Sequence, residues 1–299
     1  MIVALGDCML DVILRTERSV GVSHAFAQAS LSPGGSAANF AVWAARLGAE
    51  SGLIARVGDD VLGQALVRDL EQEGVETRVA LGDETTGLLV ELHERSEGPT
   101  FVAARGATST LCQDDLDWTL LERAELLHVT AFSFLEQAPR QAALSALAYV
   151  KARGKLVSLD PSSHGYVQRV GAVSFLDMIA DVDILFPNLD EGRALTGERE
   201  PDKVMRALMH RFPVVALKMG AQGAMAGTAE TVIRHPGWDV PVVDTTGAGD
   251  AFAAAFVVSW LADHDLAAAV EQGNRVAAGV VQVAGARRSM AVPRGSSPQ

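Results

Sequence analysis

Short runs of apolar residues alternate, along most of the chain, with stretches whose apolar residues recur with helical spacing. Runs of about four to eight apolar residues are typical of buried strands, and apolar residues three and four apart are typical of helices. The predicted strands cover residues 1–6, 52–57, 126–130, 155–160, 182–187 and 213–218. The predicted helices cover residues 36–47, 61–74, 138–153, 188–196, 202–211, 248–262 and 265–283. This alternation predicts an α/β fold with a largely parallel sheet.

Two segments interrupt the alternation. Residues 12–33 and 85–105 lack helical spacing, and within the second of them residues 87–94 and 99–104 are typical of a β-hairpin. We expect these segments to form a small sheet separate from the main one. The C-terminal PRGSSPQ (293–299) is expected to be disordered.

The net charge indicates which partners the protein can bind, and the cysteine content indicates its cellular compartment. The 299 residues carry a formal net charge of −12, which argues against nucleic acid or an anionic membrane as a partner. The two cysteines, Cys8 and Cys112, predict a reduced, cytoplasmic protein in which Cys8 is a small core residue. No stretch reaches the roughly 18 apolar residues of a membrane span, and the first residues lack the basic segment of a signal peptide.

The stretch DTTGAGDAFAAAF (244–256) carries the strongest chemical signal. It follows a valine-rich segment, 238–244, that is expected to be a strand, and it opens a helix with Phe252, Phe256 and Trp260 on one face. Glycines at a helix start let backbone N–H groups approach an anion, and Asp250 in that field is expected to stay ionised and to accept a proton. The pattern suggests phosphoryl transfer to an alcohol. The alternative is an ordinary glycine turn with a helix-starting aspartate.

A second glycine cluster, SPGGSAANFAVWAARLG (32–48), opens a helix of small residues. Gly34 and Gly35 form the turn, and Asn39 lies where its side chain can face a ligand; the alternative is an ordinary loop-to-helix junction. Asp11 follows the first strand, and ligands of open α/β sheets lie beyond the carboxyl ends of strands. Its carboxylate is expected to accept hydrogen bonds from sugar hydroxyls, unless it is a solvated loop acid.

Two further segments have both a structural and a functional interpretation. In FPNLDEGRALTG (186–197), Asn188 and Glu191 have the spacing of a helix capping box, and the same pair can organise Mg²⁺ near phosphates. In VVALKMGAQGAMAG (214–227), Lys218, Gly220 and Gly223 are expected either to border a nucleotide or to form a β-hairpin with an exposed lysine. Neither a P-loop nor a G-x-G-x-x-G motif occurs, so any nucleotide is bound in another way.

In this order, the segments resemble the ribokinase, or PfkB-type carbohydrate kinase, family over nearly the whole chain. GGSAANFAVWAARLG (34–48) resembles its N-terminal signature, and DTTGAGDAFAAAF is similar to its C-terminal signature. NLDEGRALTG (188–197) resembles its Asn-x-x-Glu motif, and GNRVAAGVVQVAGARRS (273–289) its nucleotide-side helix. The resemblance implies an α/β ribokinase-like fold, a three-layer α/β/α sandwich with a small β-sheet lid. It also implies a single domain over 1–299, with lid segments at about 12–33 and 85–105.

The resemblance further implies ATP-dependent phosphorylation of a hydroxymethyl group on a sugar or sugar acid, with ATP, Mg²⁺ and K⁺ as cofactors and a homodimer formed through the lid. It makes Asp250 the base and makes the backbone of Gly247, Ala248 and Gly249 the anion hole. Sugar contacts are implied for Asp11, Gly34, Gly35 and Asn39. Nucleotide contacts are implied for Asn188, Lys218, Gly220, Gly223 and Asn274. Mg²⁺, through water, is implied for Glu191, and a monovalent cation for Asp244, Thr246, Val280, Val283, Gly285 and Ser289.

One departure and one arginine bear on the acceptor. Many sugar-acid kinases of the family have an Asp-x-Asn-x-Arg pattern where this chain reads DPSSHGY (160–166), which keeps Asp160 in the site but supplies no arginine. Arg105, at the end of a lid strand, suits a carboxylate or phosphate on the acceptor, or else pairs with a surface acid. The alternatives to a sugar kinase are a nucleoside kinase, which Phe26 and Phe101 as the only lid aromatics disfavour, and a sensor without catalysis, which the intact GAGD disfavours.

Overall fold

The computed structural model describes residues 1–16, 26–94, 100–288 and 290. In chain order, its strands are β1 (Ile2–Leu5), β2 (Met9–Thr16), β3 (Gln28–Gly34), β4 (Ser51–Gly58), β5 (Val75–Gly82), β6 (Leu88–Glu94), β7 (Thr100–Ala104), β8 (Leu126–Thr130), β9 (Leu156–Asp160), β10 (Ile184–Leu185), β11 (Val214–Lys218), β12 (Ala224–Gly227) and β13 (Val232–His235). Its helices are α1 (Ser36–Arg46), α2 (Val61–Gln72), α3 (Trp118–Arg123), α4 (Gln137–Lys151), α5 (His164–Val170), α6 (Ala172–Met178), α7 (Leu189–Thr196), α8 (Pro201–Met209), α9 (Ala248–Asp263) and α10 (Leu266–Val280).

A large sheet organises the chain. Among the described residues it has nine strands in the order β13-β12-β11-β10-β9-β8-β1-β4-β5. The strands from β11 to β5 are parallel, and β12 and β13 extend one edge in antiparallel fashion. The chain winds from β1 towards β5 in one direction and from β8 towards β11 in the other. Ligands of such sheets bind beyond the carboxyl ends of the strands at this reversal.

Helices cover both faces of the large sheet. Ala4 of β1 packs into a core with α1, α2, α9 and α10, whereas Val3 and Leu5 of the same strand pack into a second core with α3 to α8. Successive side chains of a strand point to opposite faces, so one strand contributes to both cores. The predicted three-layer α/β/α sandwich is confirmed.

Helix α9 is apolar on all sides because it is enclosed by the sheet, α1 and α10. Its aromatic residues form the predicted row. The ring centroids of Phe252 and Phe256 are 6.2 Å apart, and those of Phe256 and Trp260 are 6.3 Å apart. This packing fixes the start of α9, and therefore Asp250, relative to the sheet.

The two irregular segments form a separate lid sheet with the strand order β3-β2-β6-β7, as predicted. Strands β6 and β7 are the expected hairpin, and β2 pairs in parallel with β6 and antiparallel with β3. Met9, Asp11 and Ile13 alternate along β2 on its buried side, and Glu91 is buried on β6. The lid therefore places two carboxyl groups on the side that faces the rest of the protein.

Several elements differ from the sequence prediction. Residues 238–244 form no strand: the N–H groups of Val243 and Asp244 both donate to the carbonyl of Val281, and none of the described strands pairs with this segment. Strands β5 and β13 and helices α3, α5 and α6 were not predicted. The predicted strand 182–187 pairs only at Ile184–Leu185. The predicted disordered tail 293–299 lies outside the described residues.

The cysteines have a structural role consistent with their positions. Cys8 is fully buried, and burial raises the pKa of its thiol to about 12, so it is the predicted small core residue. Cys112 is half-buried, and both cysteines are free thiols.

Across the ranges that the structure describes, none of the helices has both the length and the apolar character needed to cross a bilayer.

Candidate active site

Two adjoining cavities lie at the carboxyl ends of the parallel strands. The first has a volume of about 530 Å³ and lies between the large sheet and the lid. The second has a volume of about 700 Å³ and lies between the turn after β11 and the helices α9 and α10. Asn188, Lys218 and Gly249 line both cavities. Molecules in the two cavities would therefore meet at these residues, beside the start of α9.

The glycine turn before α9 has the geometry that the sequence predicts. Gly247 precedes the helix with φ 74°, and a Cβ there would lie 2.4 Å from the Cβ of Ala286. Only glycine satisfies both the left-handed backbone and this close approach. The helix begins at Ala248, whose N–H donates to the carbonyl of Thr245 at 3.2 Å, and Gly249 in its first turn lines both cavities.

The Asp250 carboxylate is held by α1 and has an unusual pKa. Ser36 Oγ donates to Asp250 Oδ1 at 2.5 Å, and Asn39 Nδ2 donates to Asp250 Oδ2 at 3.0 Å. Burial, together with the charges of Asp160 and Asp7, raises the pKa of Asp250 to about 7 against these two hydrogen bonds. The sequence analysis expected this group to stay ionised at the helix terminus, whereas burial favours its protonated form.

Asp11 is buried within β2, so the interpretation as a solvated loop acid is wrong. Its side chain lines the first cavity, and its Oδ1 atom has no hydrogen-bond partner within the part of the chain that the structure describes. Burial raises the pKa of Asp11 to about 7, while the charge of Arg287 opposes that rise. A Cβ at Gly34 would lie 2.2 Å from the Asp11 carboxylate, which explains the glycine at that position. Gly35, with φ 90°, completes the turn into α1.

Lys218 and Asp160 form an ion pair at the junction of the cavities. Strands β11 and β12 are the predicted hairpin, yet the Lys218 side chain is only 15% exposed, so the expectation of an exposed lysine is wrong. Burial acts to lower the pKa of Lys218, but Asp160 and Glu191 outweigh burial and raise it. The lysine therefore stays charged beside the first turn of α9.

Asn188 and Glu191 form the predicted capping box at the start of α7. The N–H of Glu191 donates to Asn188 Oδ1 at 2.9 Å, and the N–H of Asn188 donates to Glu191 Oε2 at 2.8 Å. Glu191 also lines the first cavity, where burial and then the charge of Asp160 raise its pKa to about 7. The capping interpretation is confirmed, and the carboxyl group still faces the cavity.

Arg105 lines the first cavity and also has protein partners. Its Nη1 donates to the carbonyl of Phe132 at 2.8 Å and lies 3.5 Å from the carboxylate of Glu136. Among the described residues, the buried Nε has no hydrogen-bond partner. The arginine thus has the ion pair that one interpretation expects, and its side chain also lines the cavity, as the other interpretation requires.

The second cavity contains the remaining residues predicted for the nucleotide. Gly220 and Gly223 have φ values of 58° and 80°, and a Cβ at Gly223 would lie 2.2 Å from the carbonyl oxygen of His235. Asn274 Nδ2 lies 3.1 Å from His235 Nδ1, and Trp238 forms a further part of the wall. The turn after β11 therefore forms one rim of this cavity.

The segments predicted to hold a monovalent cation lie together. Asp244 Oδ1 accepts from the N–H of Thr246 at 2.9 Å, and Asp244 Oδ2 accepts from the N–H of Gly285 at 2.9 Å. Burial acts to raise the pKa of Asp244, but these backbone donors hold it below its usual value. The carbonyl of Val280 accepts from the N–H of Val283 at 3.2 Å. Ser289 lies outside the described residues.

Four functional candidates were missed by the sequence analysis. Asp7 accepts from the N–H of Ser36 at 2.7 Å and from Thr130 Oγ1 at 3.1 Å, and its position just after β1 was an available signal. Glu91 accepts from Thr246 Oγ1 at 3.1 Å, which connects the lid to the segment before α9. A carboxylate in the alternating strand GLLVELHE was the signal for that contact. For Ser36 and Arg287, the sequence contained no comparable signal.

Comparisons with known proteins agree with this architecture. The profile of the pfkB family carbohydrate kinases matches residues 1–293. The chain is 35% identical to an ATP-dependent ribose-1-phosphate kinase of Halopiger xanaduensis over 96% of this chain and 93% of that protein. It is 30% identical to a 2-dehydro-3-deoxygluconokinase of Bacillus subtilis over 84% of this chain and 81% of that protein. A solved structure of a sugar kinase from Pyrococcus horikoshii in complex with ATP is 26% identical, with a TM-score of 0.80 over 97% of this chain and 95% of that chain. The match over nearly the full length, together with the fold and the glycine turn before Asp250, shows that the chain belongs to the pfkB family of carbohydrate kinases.

Proposed function

We propose that this kinase transfers the terminal phosphoryl group of ATP to a hydroxymethyl group of an anionic sugar, with Asp250 as the base. The observation that carries the proposal is the position of Asp250 at the start of α9, where the two cavities share Asn188, Lys218 and Gly249. The sugar would occupy the first cavity and the nucleotide the second. The ATP complex of the Pyrococcus horikoshii sugar kinase supports ATP as the donor.

The reaction assigns one task to each group at the junction. Asp250 in its ionised form accepts the hydroxyl proton while the acceptor oxygen bonds to phosphorus, and the bond from phosphorus to the ADP oxygen breaks. We assign the stabilisation of charge on the transferred group to the N–H of Gly249, with Gly247 shaping the turn. The N–H of Ala248, which the sequence placed in the anion hole, donates to the carbonyl of Thr245 at 3.2 Å. Lys218 lies beside Gly249 and supplies a fixed positive charge. Phosphoryl transfer depends on this kind of alignment and charge stabilisation more than on covalent catalysis.

The sugar side is assigned from burial and unsatisfied donors and acceptors. Asp11 Oδ1 is a buried acceptor that has no partner in the described ranges, and we assign it to a sugar hydroxyl. Asn39 and the turn at Gly34 and Gly35 close the same side of the cavity. Asp160, paired with Lys218, is assigned to the sugar-facing rim. On the nucleotide side, Gly220, Gly223 and Asn274 are assigned to ATP.

The residues present fit Mg²⁺ held mainly by the nucleotide. Oxygen donors suit Mg²⁺, which keeps several waters and binds through one or two carboxylates plus phosphates. Glu191 is a buried carboxyl group at the cavity, and Asn188 adjoins it. In the ranges that the structure describes, no cluster of three or more His, Cys, Asp or Glu side chains could hold a metal by itself. When bound, the ion would neutralise phosphate charge, and Glu191 would orient its waters.

We also assign a monovalent cation, K⁺, to the loop formed by Asp244, Thr246 and Gly285 with the carbonyls of Val280 and Val283. Asp244 carries a lowered pKa and is buried, so its negative charge is available at neutral pH. Full activity with a bulky organic cation in place of K⁺ would remove this assignment.

The proposal that the acceptor is anionic depends on Arg105. Its side chain lines the sugar cavity, and its Nε has no hydrogen-bond partner among the described residues. A guanidinium suits a carboxylate or phosphate because it can bind two oxygens at once. Two relatives at 35% and 30% identity carry names with acidic acceptors, a sugar phosphate and a sugar acid. Neutral sugars and nucleosides are the alternatives, and Phe101 with Phe132 in the cavity wall keeps a nucleoside within the test.

The test is ADP release from ATP across a panel of sugars, sugar phosphates, sugar acids and nucleosides, followed by Arg105→Ala. We expect the best acceptor to be anionic, and we expect the substitution to raise its KM by one to two orders of magnitude, because a charged hydrogen bond contributes about 1.5–3 kcal/mol. The KM for ATP should not change. Arg140→Ala is the matched control, since Arg140 also donates to a backbone carbonyl, that of Phe134, but does not line the cavity. A neutral best acceptor with no effect of Arg105→Ala would contradict the proposal.

The remaining expectations from the sequence stay proposals. We treat residues 1–299 as a single domain with a lid and place the protein in the cytoplasm. We assign the exposed apolar face of the lid, which includes Leu31 and Val102, to a homodimer. Sedimentation of the purified protein tests the last of these.

A further inference from the structure

Arg287 is a buried arginine that follows the turn at Gly285 and lies outside the walls of both cavities. Its three nitrogen atoms have three different partners. Nε donates to Asn39 Oδ1 at 2.9 Å, Nη2 donates to the carbonyl of Gly34 at 3.1 Å, and Nη1 pairs with Asp69 Oδ2 at 2.5 Å. One side chain therefore connects α1, the end of lid strand β3 and α2.

The chemistry of the guanidinium determines how the Asn39 amide is oriented. An arginine only donates hydrogen bonds, so Asn39 must present its carbonyl oxygen to Arg287. The amide nitrogen then faces the other way, and Asn39 Nδ2 donates to Asp250 Oδ2 at 3.0 Å. A half-turn of the amide would place oxygen beside oxygen at Asp250 and would leave Arg287 facing an N–H group. Arg287 thus excludes the orientation in which Asn39 cannot bind the base.

Arg287 is itself held from outside the reaction site. Trp43 Nε1 donates to the carbonyl of Ala286 at 3.0 Å, and Arg46 donates to the carbonyl of Arg287. Asp69 of α2 fixes the far end of the guanidinium. The orientation of Asn39 is therefore set by packing between α1, α2 and the segment that follows α10.

The same guanidinium bears on the sugar side of the first cavity. Its hydrogen bond to the Gly34 carbonyl fixes the end of β3 where Gly34 packs against the Asp11 carboxylate. Its positive charge also opposes the effect of burial on Asp11. Arg287 therefore acts on Asn39 and on the neighbourhood of Asp11 without lining the cavity.

We propose that Arg287 is a positioning residue for phosphoryl transfer, which fixes the amide of Asn39 and, through it, the carboxylate of Asp250. The inference rests on the proposed function of Asp250 as the base. It assigns to the segment after α10 a role in aligning the base, distinct from the contacts made by the cation loop at Asp244.

A double-mutant cycle with Arg287→Met and Asn39→Ala tests the inference. Loss of alignment at the base costs on the order of 10²-fold in turnover, and we expect Arg287→Met to lower kcat by roughly 10- to 100-fold with an unchanged KM for ATP. In the Asn39→Ala background, the same substitution should have little further effect, because the residue through which Arg287 acts is already absent. Independent effects would instead multiply, and multiplication would overturn the inference.

Arg287→Lys and Asp69→Asn keep the test valid if loss of the buried charge prevents folding. A lysine retains the charge that Asp69 needs, but its single ammonium group cannot also serve Asn39 and Gly34 in three directions. We expect Arg287→Lys to lower kcat while its melting temperature stays close to that of the wild type. Asp69→Asn is the matched control, since it removes the charge of the outer partner but keeps an oxygen that accepts from Nη1, so the guanidinium stays in place and Asn39 stays bound. We expect its kcat to stay near the wild-type value.

Wild-type kcat in folded Arg287→Lys would also overturn the inference. The outcome is separable from failure of the proposed function. If the wild-type enzyme phosphorylates no acceptor of the panel, the proposed function fails before any cycle is measured. If the wild type is active and the cycle is multiplicative, only the role of Arg287 fails.

Discussion

The surroundings of Asp250 shift the pKa of its carboxyl group in two opposite directions. Ser36 and Asn39 donate hydrogen bonds that favour its ionised form, whereas burial and the charges of Asp160 and Asp7 favour its protonated form. Burial prevails, and the pKa rises to about 7. A general base is most effective when its pKa lies near the operating pH. The same packing that positions this carboxylate therefore also sets its basicity.

Asp250→Asn should abolish most turnover without loss of nucleotide binding. The amide has the same shape but cannot accept the hydroxyl proton, and general base catalysis typically contributes ~10²–10⁴-fold. We expect kcat to fall by that factor, with the ATP dissociation constant measured by calorimetry unchanged. Near-normal kcat in a folded variant would remove Asp250 from the role of base.

Glu191 combines two roles that the sequence left open. It closes the capping box of α7 through its hydrogen bond from the N–H of Asn188, and its carboxyl group faces the first cavity. A glutamine at this position can still accept the capping hydrogen bond, because capping boxes accept either residue. The substitution Glu191→Gln therefore removes the charge of this side chain and keeps its capping hydrogen bond.

Glu191→Gln should raise the Mg²⁺ concentration needed for half-maximal activity, with little change in melting temperature. Asp265→Ala is the control for a lost cap. Asp265 caps α10 through the N–H groups of Ala267 and Ala268, and its removal should cost about 1 kcal/mol of stability without any effect on the Mg²⁺ titration. If Glu191→Gln lowers stability and leaves the Mg²⁺ titration unchanged, capping is its only role.

The junction of β2, β3 and α1 shows how strand packing builds the sugar side of the site. Asp11 on β2 pairs with Ser32 on β3, and Gly34 ends β3 directly against the Asp11 carboxylate. Because Gly34 has no Cβ, the carboxylate can lie against the backbone and still face the cavity. The glycine is needed here for close approach, since its φ lies outside the left-handed range.

Gly34→Ala should displace Asp11 and raise the KM for the sugar acceptor. The added Cβ would lie 2.2 Å from the carboxylate, so the side chain must move. By the alignment argument, we expect a loss on the order of 10²-fold in kcat/KM for the acceptor, with the KM for ATP unchanged. Gly165→Ala is the matched control, since its nearest neighbour, Ser163 Oγ, lies at 3.7 Å and the change should be neutral. Equal acceptor KM values for both variants would contradict the argument.

The apolar pattern identified the central strands of the large sheet and missed those at its edges. Strands β1, β8 and β11 are almost entirely buried, so their sequences are continuous apolar runs. Strands β5 and β13, at the two edges, alternate buried or half-buried with exposed positions and contain charged residues. The valine-rich segment 238–244 has the composition of a strand, but no strand in the described part of the chain pairs with it. Composition cannot show the absence of a pairing partner.

The same limit applies to the site. The glycine turns and the acids that follow strands were predictable because each is a local pattern. The contact of Glu91 with Thr246 spans 155 residues, and that of Arg287 with Asn39 spans 248 residues. No local pattern encodes such pairs, and they form only when the lid and the segment after α10 pack against α1 and α9. The positioning contacts are therefore the part of the site that needed the structure.

Buried groups with shifted pKa values make the stability of the protein depend on pH in opposite ways. Asp250 and Asp11 have pKa values raised from 3.8 to about 7, so between those values the folded protein retains protons that the unfolded chain has lost. Their contribution to the free energy of unfolding falls as pH rises through that window. His128 acts in the other direction, because burial and then the charge of Lys218 lower its pKa from 6.5 to about 3. Its contribution rises with pH, so a total stability curve mixes both signs.

Comparison of Asp250→Asn with the wild type removes the contribution of Asp250, together with the part of the Asp11 shift that the charge of Asp250 causes, while His128 is present in both proteins. The amide has no charge to bury, and Ser36 Oγ and Asn39 Nδ2 can still pair with it. We expect the variant to gain stability relative to the wild type as pH rises from about 4 to about 7, by at most about 1.4 kcal/mol per pH unit, and to gain no more above pH 7. For proteins of roughly 150–250 residues, a change of 1 kcal/mol in the free energy of unfolding shifts the melting temperature by roughly 2–4 °C. The measurement is the difference in melting temperature between variant and wild type from pH 5 to pH 8. A difference that does not change with pH would show that Asp250 has an ordinary pKa in the folded protein, and the base would then be fully ionised throughout that range.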